Sequence, residues 1–302
     1  MRVHYSTDDG MFLQGSASDL LLAEAVKPYV GKVDLIFTSP PFPLNRQKKY
    51  GNLDGQEFVT WLASFAPIFR NLLGPTGSIV MEMGNPWERG QPTMSTLGLR
   101  ALLAFLDEGR FHLCQQFVWH NPARLPSPAQ WVNVERIRVK DSFTHIWWMS
   151  PSPRPKANNR NVLMEYSGSM KKLLDSQRYN AGRRPSEHHI GKSSFLIDNS
   201  GSIPPNVLTI SNTGASSRYL SYCREHRLEV HPARMPIELP KFFINFLTDP
   251  GDLVLDPFAG SNTTGFAAHE AGRRWIAVEI MEMYIQGSKG HFVEQLSPRS
   301  EH

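Results

Sequence analysis

Thr38-Ser39-Pro40-Pro41-Phe42-Pro43 gathers a hydroxyl, main-chain carbonyls and an aromatic face in one short loop. Proline fixes φ and carries no N–H, so Pro40 and Pro41 hold the loop out of helix and sheet and offer acceptors only. Ser39 adds a hydroxyl acceptor, and Phe42 a flat apolar surface. Such a pocket suits a planar ring bearing an exocyclic amine. The ring would stack on Phe42, with the amine hydrogens directed at Ser39 and the Pro40 carbonyl. An aromatic amine is a poor nucleophile because its lone pair is delocalised into the ring. Acceptors gripping both hydrogens favour a tetrahedral nitrogen and free that pair for attack. Taken alone, the segment reads as a Pro-rich turn at a strand end, and a second motif is needed to decide.

That motif is Leu253-Val254-Leu255-Asp256-Pro257-Phe258-Ala259-Gly260-Ser261-Asn262-Thr263-Thr264-Gly265, which reads as strand, tight loop and helix start. Gly260 lets the backbone approach a ligand closely, and Asn262 or Ser261 can cap the following helix. Glu279 ends the next strand, 23 positions after Asp256, where a carboxylate meets ribose hydroxyls in a mononucleotide-binding βαβ unit. The fingerprint G-x-G-x-x-G is absent. Gly260 and Gly265 have the P-loop spacing, but Phe266 stands where the phosphate-binding lysine must be. With nothing cationic for a pyrophosphate, an adenosyl ligand without phosphates fits better, which points to S-adenosylmethionine.

Together, Ser39-Pro40-Pro41-Phe42 and Asp256-Pro257-Phe258-Ala259-Gly260-Ser261 resemble the motif pair of the amino-methylating DNA methyltransferases. The catalytic motif comes first, which is the permuted order of the β group. His231-Pro232-Ala233-Arg234-Met235-Pro236 resembles the segment leading into the helix beside the cofactor. Trp119-His120-Asn121-Pro122 resembles the aromatic-containing element near the flipped base. Leu125-Pro126-Ser127-Pro128, Arg184-Pro185-Ser186, Ile190-Gly191-Lys192-Ser193 and Gly201-Ser202-Ile203-Pro204-Pro205-Asn206 are similar to the PvuII-type cytosine-N4 modification methyltransferases. The likeness runs from about residue 12 to about residue 285.

The resemblance implies an α/β fold with an open, doubly wound, mostly parallel sheet, S-adenosylmethionine and target base lying side by side at the strand ends. It implies methyl transfer to the N4 amine of a cytosine flipped out of duplex DNA, as the modification part of a restriction-modification system. The catalytic role falls on Ser39, Pro40, Pro41 and Phe42, and cofactor contacts fall on Asp256, Phe258, Gly260, Ser261, Asn262, Thr263 and Glu279. Family members often carry Gly-Asp at the end of an early strand, where the Asp contacts the adenine amine. This chain has Gly15-Ser16, so Ser16 takes that place as an acceptor. Double-stranded DNA is the implied partner, with a cognate restriction endonuclease acting separately. Adenine-N6 methylation is the alternative within the chemistry, although relatives of that specificity more often have Asp or Asn where Ser39 stands. A catalytically weak DNA-binding protein of the same fold is the alternative from another class, and Ser16 is the feature that favours it.

For DNA, Arg46, Lys48 and Lys49 follow the catalytic loop and are placed to clamp the backbone near the target. The part corresponding to target recognition lies between Arg124 and Asn206. Within it Arg124, Arg183, Arg184, His188, His189 and Lys192 are the candidate contacts, since arginine pairs bidentately with guanine and any cation can hold a phosphate. Covalent attack at cytosine C5 needs a cysteine in a Pro-Cys loop, but Cys114 follows Leu113 and Cys223 follows Tyr222. No metal is expected, because neighbouring histidines point apart on a strand and nothing is spaced to complete a ligand set.

The elements that must hold these loops are legible as alternating strand and helix patterns. Strands are expected at Lys32–Thr38, Gly77–Met83, Phe111–Trp119, Asp141–Met149, Leu253–Asp256 and Trp275–Glu279. Helices are expected at Gln56–Leu73, bent or broken by Pro67, in a stretch ending near Gly109, at Glu238–Thr248, at Asn262–Ala271 and at the terminus. Residues 1–122 would form the catalytic half, 123–230 the last core strand with the target-recognition region, and 231–302 the cofactor half. Composition agrees with a folded body: 302 residues, 40% hydrophobic and 20% charged. Two cysteines exclude a disulfide scaffold. No run of eighteen apolar residues excludes a membrane span, and the start lacks a secretory h-region. The expected setting is the cytoplasm of a bacterium or of a phage host. The net charge of +4 is unevenly placed, with 13 Lys and Arg against 6 Asp and Glu between Asn121 and Ser200, and 19 against 22 elsewhere. A basic middle on a slightly acidic body fits a polyanion-binding face as well as it fits a solvated loop region.

Overall fold

A computed structural model describes residues 1–41, 55–178, 182–183, 189–190, 196–212 and 217–296. In chain order the strands are β1 (Arg2–Ser6), β2 (Gly10–Gln14), β3 (Val33–Thr38), β4 (Leu73–Met83), β5 (His112–His120), β6 (Phe143–Ser150), β7 (Gly182–Arg183), β8 (His189–Ile190), β9 (Val207–Thr209), β10 (Leu253–Asp256) and β11 (Arg274–Glu279). The helices are α1 (Gly55–Ala63), α2 (Ala66–Leu72), α3 (Leu97–Gly109), α4 (Gly168–Ser176), α5 (Ser217–Glu225), α6 (Glu238–Leu247), α7 (Thr263–Glu270), α8 (Glu282–Ser288) and α9 (Val293–Leu296).

Among the described residues the main sheet runs β1-β2-β11-β10-β3-β4-β6-β5-β9. Its centre, β2-β11-β10-β3-β4, is parallel throughout. Only β1 and β6 run against the rest. Buried on both faces, the central strands are near-continuous apolar runs, as parallel sheets require. One face packs Ile36, Ile79, Leu255 and Val278 against Phe58, Leu62, Phe69 and Phe105 of α1, α2 and α3. The other packs Leu35, Phe37, Val80 and Val254 against Leu239, Phe243, Ala267 and Ile285 of α6, α7 and α8. This is an open, doubly wound α/β sheet, with side chains alternating to opposite faces along each strand.

The expected helix over Gln56–Leu73 is two helices. The chain breaks between Ala63 and Ala66, placing Pro67 in the first turn of α2, where its missing N–H costs no intrahelical bond. The β1–β2 hairpin has no counterpart in the sequence pattern, because only Tyr5 of β1 is buried. It joins the sheet through β2, which pairs with β11 from Gly10–Trp275 to Gln14–Glu279.

The described chain divides into two compact units, one made of residues 1–157 and 206–302 and the other of residues 158–205. In the smaller unit, Ser167 caps α4 by accepting from the Met170 N–H at 3.2 Å, and Met164 bridges to Ser202. Tyr166 Oη accepts from the Asn199 N–H at 2.7 Å.

The larger unit contains the position where sheet order reverses. From β3 the chain proceeds to β4 on one side, and from β10 to β11 on the other. The carboxyl ends of β3 and β10 therefore flank a switch-point crevice, the usual place for a ligand in such sheets.

Candidate active site

Thr38 ends β3 and Asp256 ends β10. Thr38 Oγ1 donates to Asp256 Oδ1 at 2.8 Å, and Thr264 Oγ1 in the first turn of α7 donates to Oδ2 at 2.6 Å. The Phe258 N–H donates to Oδ1 at 3.1 Å. One buried carboxylate thus ties the root of the Ser-Pro-Pro loop to the Gly260 loop and its helix. Burial pushes the Asp256 carboxyl up to about 6, against the pull of those three donors.

The loop itself is closed by Glu279 from the end of β11. Glu279 Oε2 accepts from the Gly260 N–H at 3.0 Å and Oε1 from the Met281 N–H at 2.9 Å. Its burial raises the carboxyl pKa, and these N–H donors lower it. Gly260 has φ +51°, and a Cβ there would lie 2.9 Å from His231 Nε2. Glycine is required on both counts.

These loops frame a cavity of about 300 Å³. Ser16, Ser39, Pro40, Pro41, Asp256, Phe258, Gly260, Ser261, Thr263 and Glu279 line it, so most of the residues proposed from the two motifs converge here. Asn262, the other residue expected to contact the cofactor, is not among the residues lining it. Its backbone is left-handed at φ +59° and its side chain fully buried. Oδ1 caps α7 by accepting from the Gly265 N–H at 3.1 Å, and Nδ2 donates to Tyr5 Oη at 3.3 Å. The demand for a cap turns this side chain inward.

Ser16 Oγ accepts from the Ser18 N–H at 3.3 Å and lies 2.7 Å from Ser18 Oγ, starting a 3₁₀ turn. One wall of the cavity is aromatic. Trp61 and Phe65 meet edge-on at 5.0 Å, with Phe258 at 5.7 and 5.2 Å from them. The sequence pattern shows Trp61 and Phe65 only as part of an amphipathic helix. Among the described residues lining the cavity there is no Lys or Arg. An apolar slot with a carboxylate at its edge and no cation suits an adenosyl group without phosphates, so these residues fit S-adenosylmethionine.

A second cavity, of about 470 Å³, adjoins the first and shares Ser39, Ala233 and Met235 with it. Glu82, Trp119, Asn121, Arg124, Thr144 and Asn212 are also in its wall. Ser39 Oγ donates to Glu82 Oε2 at 2.5 Å, and Glu82 is only 6% exposed. Sequence reasoning missed Glu82. The available signal was a glutamate inside the otherwise apolar run Ile79-Val80-Met81-Glu82-Met83, since buried carboxylates are rare without a partner or a task. Trp119 is nearly buried, and its Nε1 donates to the Ile210 carbonyl at 2.9 Å.

Phe42, Arg46, Lys48, Lys49, Arg184, His188 and Lys192 lie outside the described residues. Arg183 and His189 stand opposite one another where β7 pairs with β8. Among the described residues no group of three His, Cys, Asp or Glu is placed to hold a metal ion, and no helix is long and apolar enough to cross a membrane.

Residues 33–290 match the family model of the N6/N4 methyltransferases, the DNA methylases. The chain is 43% identical over 292 residues to the type II methyltransferase M.PvuII of Proteus hauseri, spanning 96% of this chain and 85% of that protein. It matches a solved PvuII DNA methyltransferase (cytosine-N4-specific) with a TM-score of 0.77 and 36% identity, over 99% of this chain and 91% of that one. A solved M1.HpyAVI–SAM complex shares the fold, with a TM-score of 0.54 and 20% identity over 94% and 98% of the two chains. With the match extending from the first strand of the crevice to beyond Glu279, the chain belongs to the N6/N4 family of DNA methylases.

Proposed function

We propose that this protein transfers a methyl group from S-adenosylmethionine to the exocyclic N4 amine of a cytosine flipped out of duplex DNA. The observation that carries the reading is the Ser39 hydroxyl, placed where two adjoining cavities meet and backed by the Glu82 carboxylate. When bound, S-adenosylmethionine supplies an electrophilic sulfonium methyl group.

The first cavity holds the donor between Glu279 and the Trp61–Phe65–Phe258 wall. The second takes the base, whose extrusion costs a few kcal/mol, and Trp119 offers it an aromatic wall. Ser39 Oγ and the Pro40 carbonyl accept from the two amine hydrogens and draw the lone pair out of conjugation. The N4 nitrogen then bonds to the methyl carbon as the carbon–sulfur bond breaks, leaving a neutral thioether and a cationic nitrogen. Ser39 passes the surplus proton to Glu82, which supplies the base that a serine alone lacks. Holding both reactants against one residue provides much of the acceleration through proximity.

Residues 158–205, within the 123–230 region, carry target recognition in this reading, and the activity is the modification half of a restriction-modification pair. The test is nucleoside mass spectrometry of mixed-sequence duplex DNA after incubation with protein and S-adenosylmethionine. N4-methylcytosine that disappears with Ser39→Ala is the expected result. N6-methyladenine in its place would overturn the choice of base. No methylated base, with no thermal shift by S-adenosylmethionine, would leave a DNA-binding protein and make Ser16 the first residue to restore to Asp.

A further inference from the structure

The second cavity has chemistry at the end remote from Ser39 that methyl transfer leaves unused. Arg124 stands half-buried in its wall, and its Nη1 donates to the Phe143 carbonyl at 3.0 Å. Arginine carries five N–H donors, and among the described residues Arg124 makes no other side-chain hydrogen bond or ion pair. Arg234 also lines the cavity, but its guanidinium lies over the Tyr219 ring, 5.8 Å from the centroid.

Sheet register gives the separation of the two ends. Glu82 pairs with Ile146 across β4 and β6, and Phe143 lies three residues further along β6, about 10 Å at the usual strand rise. An amine hydrogen-bonded to Ser39, a pyrimidine ring and a hydrogen bond from Arg124 fill roughly that length. Between the ends lies Thr144, the cross-strand partner of Trp119. Its hydroxyl is buried with no hydrogen-bond partner among the described residues, a cost that a bound polar edge would relieve.

We propose that Arg124 reads the Watson–Crick edge of the flipped base, donating to the O2 side of cytosine and selecting it over adenine. The inference rests on the methyltransferase reading above. Along that edge cytosine presents an amine donor at N4 and acceptors at N3 and O2. Adenine presents its amine at N6, an acceptor at N1 and then only a C–H. The cavity has the complementary order, with Ser39 and Glu82 accepting at one end and a guanidinium donating at the other. Adenine would leave that guanidinium facing a C–H, and an unmet buried donor penalises the wrong ligand more than a met one rewards the right ligand.

The experiment compares wild type, Arg124→Lys and Arg124→Gln on mixed-sequence duplex DNA. It reads kcat and KM, the ratio of N4-methylcytosine to N6-methyladenine, and the salt dependence of DNA binding. Both variants are expected to lose about tenfold to a hundredfold in kcat on cytosine and to shift the product ratio toward adenine. The lysine variant should not rescue, since an ammonium lacks the planar fork. The salt slope should stay unchanged, and the thermal shift with S-adenosylmethionine should persist as evidence of folding. A raised KM with unchanged kcat, a salt slope smaller by about one and rescue by lysine would make Arg124 a phosphate contact and sink the proposal. N4-methylcytosine formed by Arg124→Gln at the wild-type rate would sink it equally, leaving the methyltransferase reading intact. Wild-type protein that makes only N6-methyladenine would remove that reading and this inference together.

Discussion

In the proposed mechanism, activity depends first on the hydrogen-bonded pair Ser39 and Glu82. A carboxylate at 6% exposure that accepts from a serine at 2.5 Å costs free energy unless the arrangement has a use. Glu82→Gln keeps the shape and a hydrogen-bonding end group but removes the proton acceptor. It is expected to lower kcat by about a hundredfold or more, while the thermal shift with S-adenosylmethionine stays at the wild-type value. A uniform rise in KM with kcat intact would show that Glu82 only shapes the pocket. Asp256 is the opposite case. Its type and position mark it in the sequence as a ligand contact, yet its oxygens are occupied by Thr38, Thr264 and the Phe258 N–H. The motif was legible, but the direction each side chain faces was not. Facing depends on partners such as Thr38, 218 residues away along the chain.

The elements differ in how much of them can be read in advance. β3, β10, α7 and β11 were legible because burial on both faces leaves apolar runs, and because Asp, Gly and Asn punctuate the turn between β10 and α7. The β1–β2 hairpin was not, since an edge strand with one buried residue has no periodicity to detect. The inward role of Asn262 likewise depends on Tyr5 of that hairpin. It makes α7 sensitive to one position. Asn262→Ala removes the cap, orphans the buried Gly265 N–H and leaves a Cβ residue at φ +59°, an expected loss of about 2–4 kcal/mol. Asn262→Gly relieves the backbone term and should be about 1 kcal/mol less damaging. Urea midpoints of the two variants decide it, and equal midpoints would show that the left-handed backbone contributes nothing.

At the scale of the whole molecule, two buried groups titrate against each other. Asp256 rises from 3.8 to about 6 on folding, so the folded state binds the extra proton and stability falls as pH climbs through that interval. Glu279 is shifted in the same direction. His291, buried beside the Phe266 ring at 4.7 Å, drops from 6.5 to about 4 because burial disfavours its cation. There the unfolded state binds the extra proton, so stability rises with pH over nearly the same range. The opposing slopes of Asp256 and His291 therefore partly offset one another between about pH 4 and pH 6. Relative to the native protein, Asp256→Asn should tilt the Tm–pH profile upward over that range, and His291→Phe should tilt it downward. Parallel profiles for all three proteins would mean that neither group is perturbed in solution.

The hydrogen bond from Thr38 to Asp256 also has a consequence in time. Its two residues are neighbours in the sheet and 218 apart in sequence, and a ribosome adding 5–20 residues per second takes roughly ten to forty seconds to make the second after the first. During that interval β3 has emerged without β10, and one edge of the future sheet centre is bare, the condition under which strands pair with the wrong neighbour. A chain broken off before Glu279 has the Ser39 loop and the residues of the second cavity but not the complete wall of the first. If the first cavity holds the methyl donor as proposed, abandoned translation yields inert fragments, and the onset of activity marks synthesis carried past the last strand of the sheet.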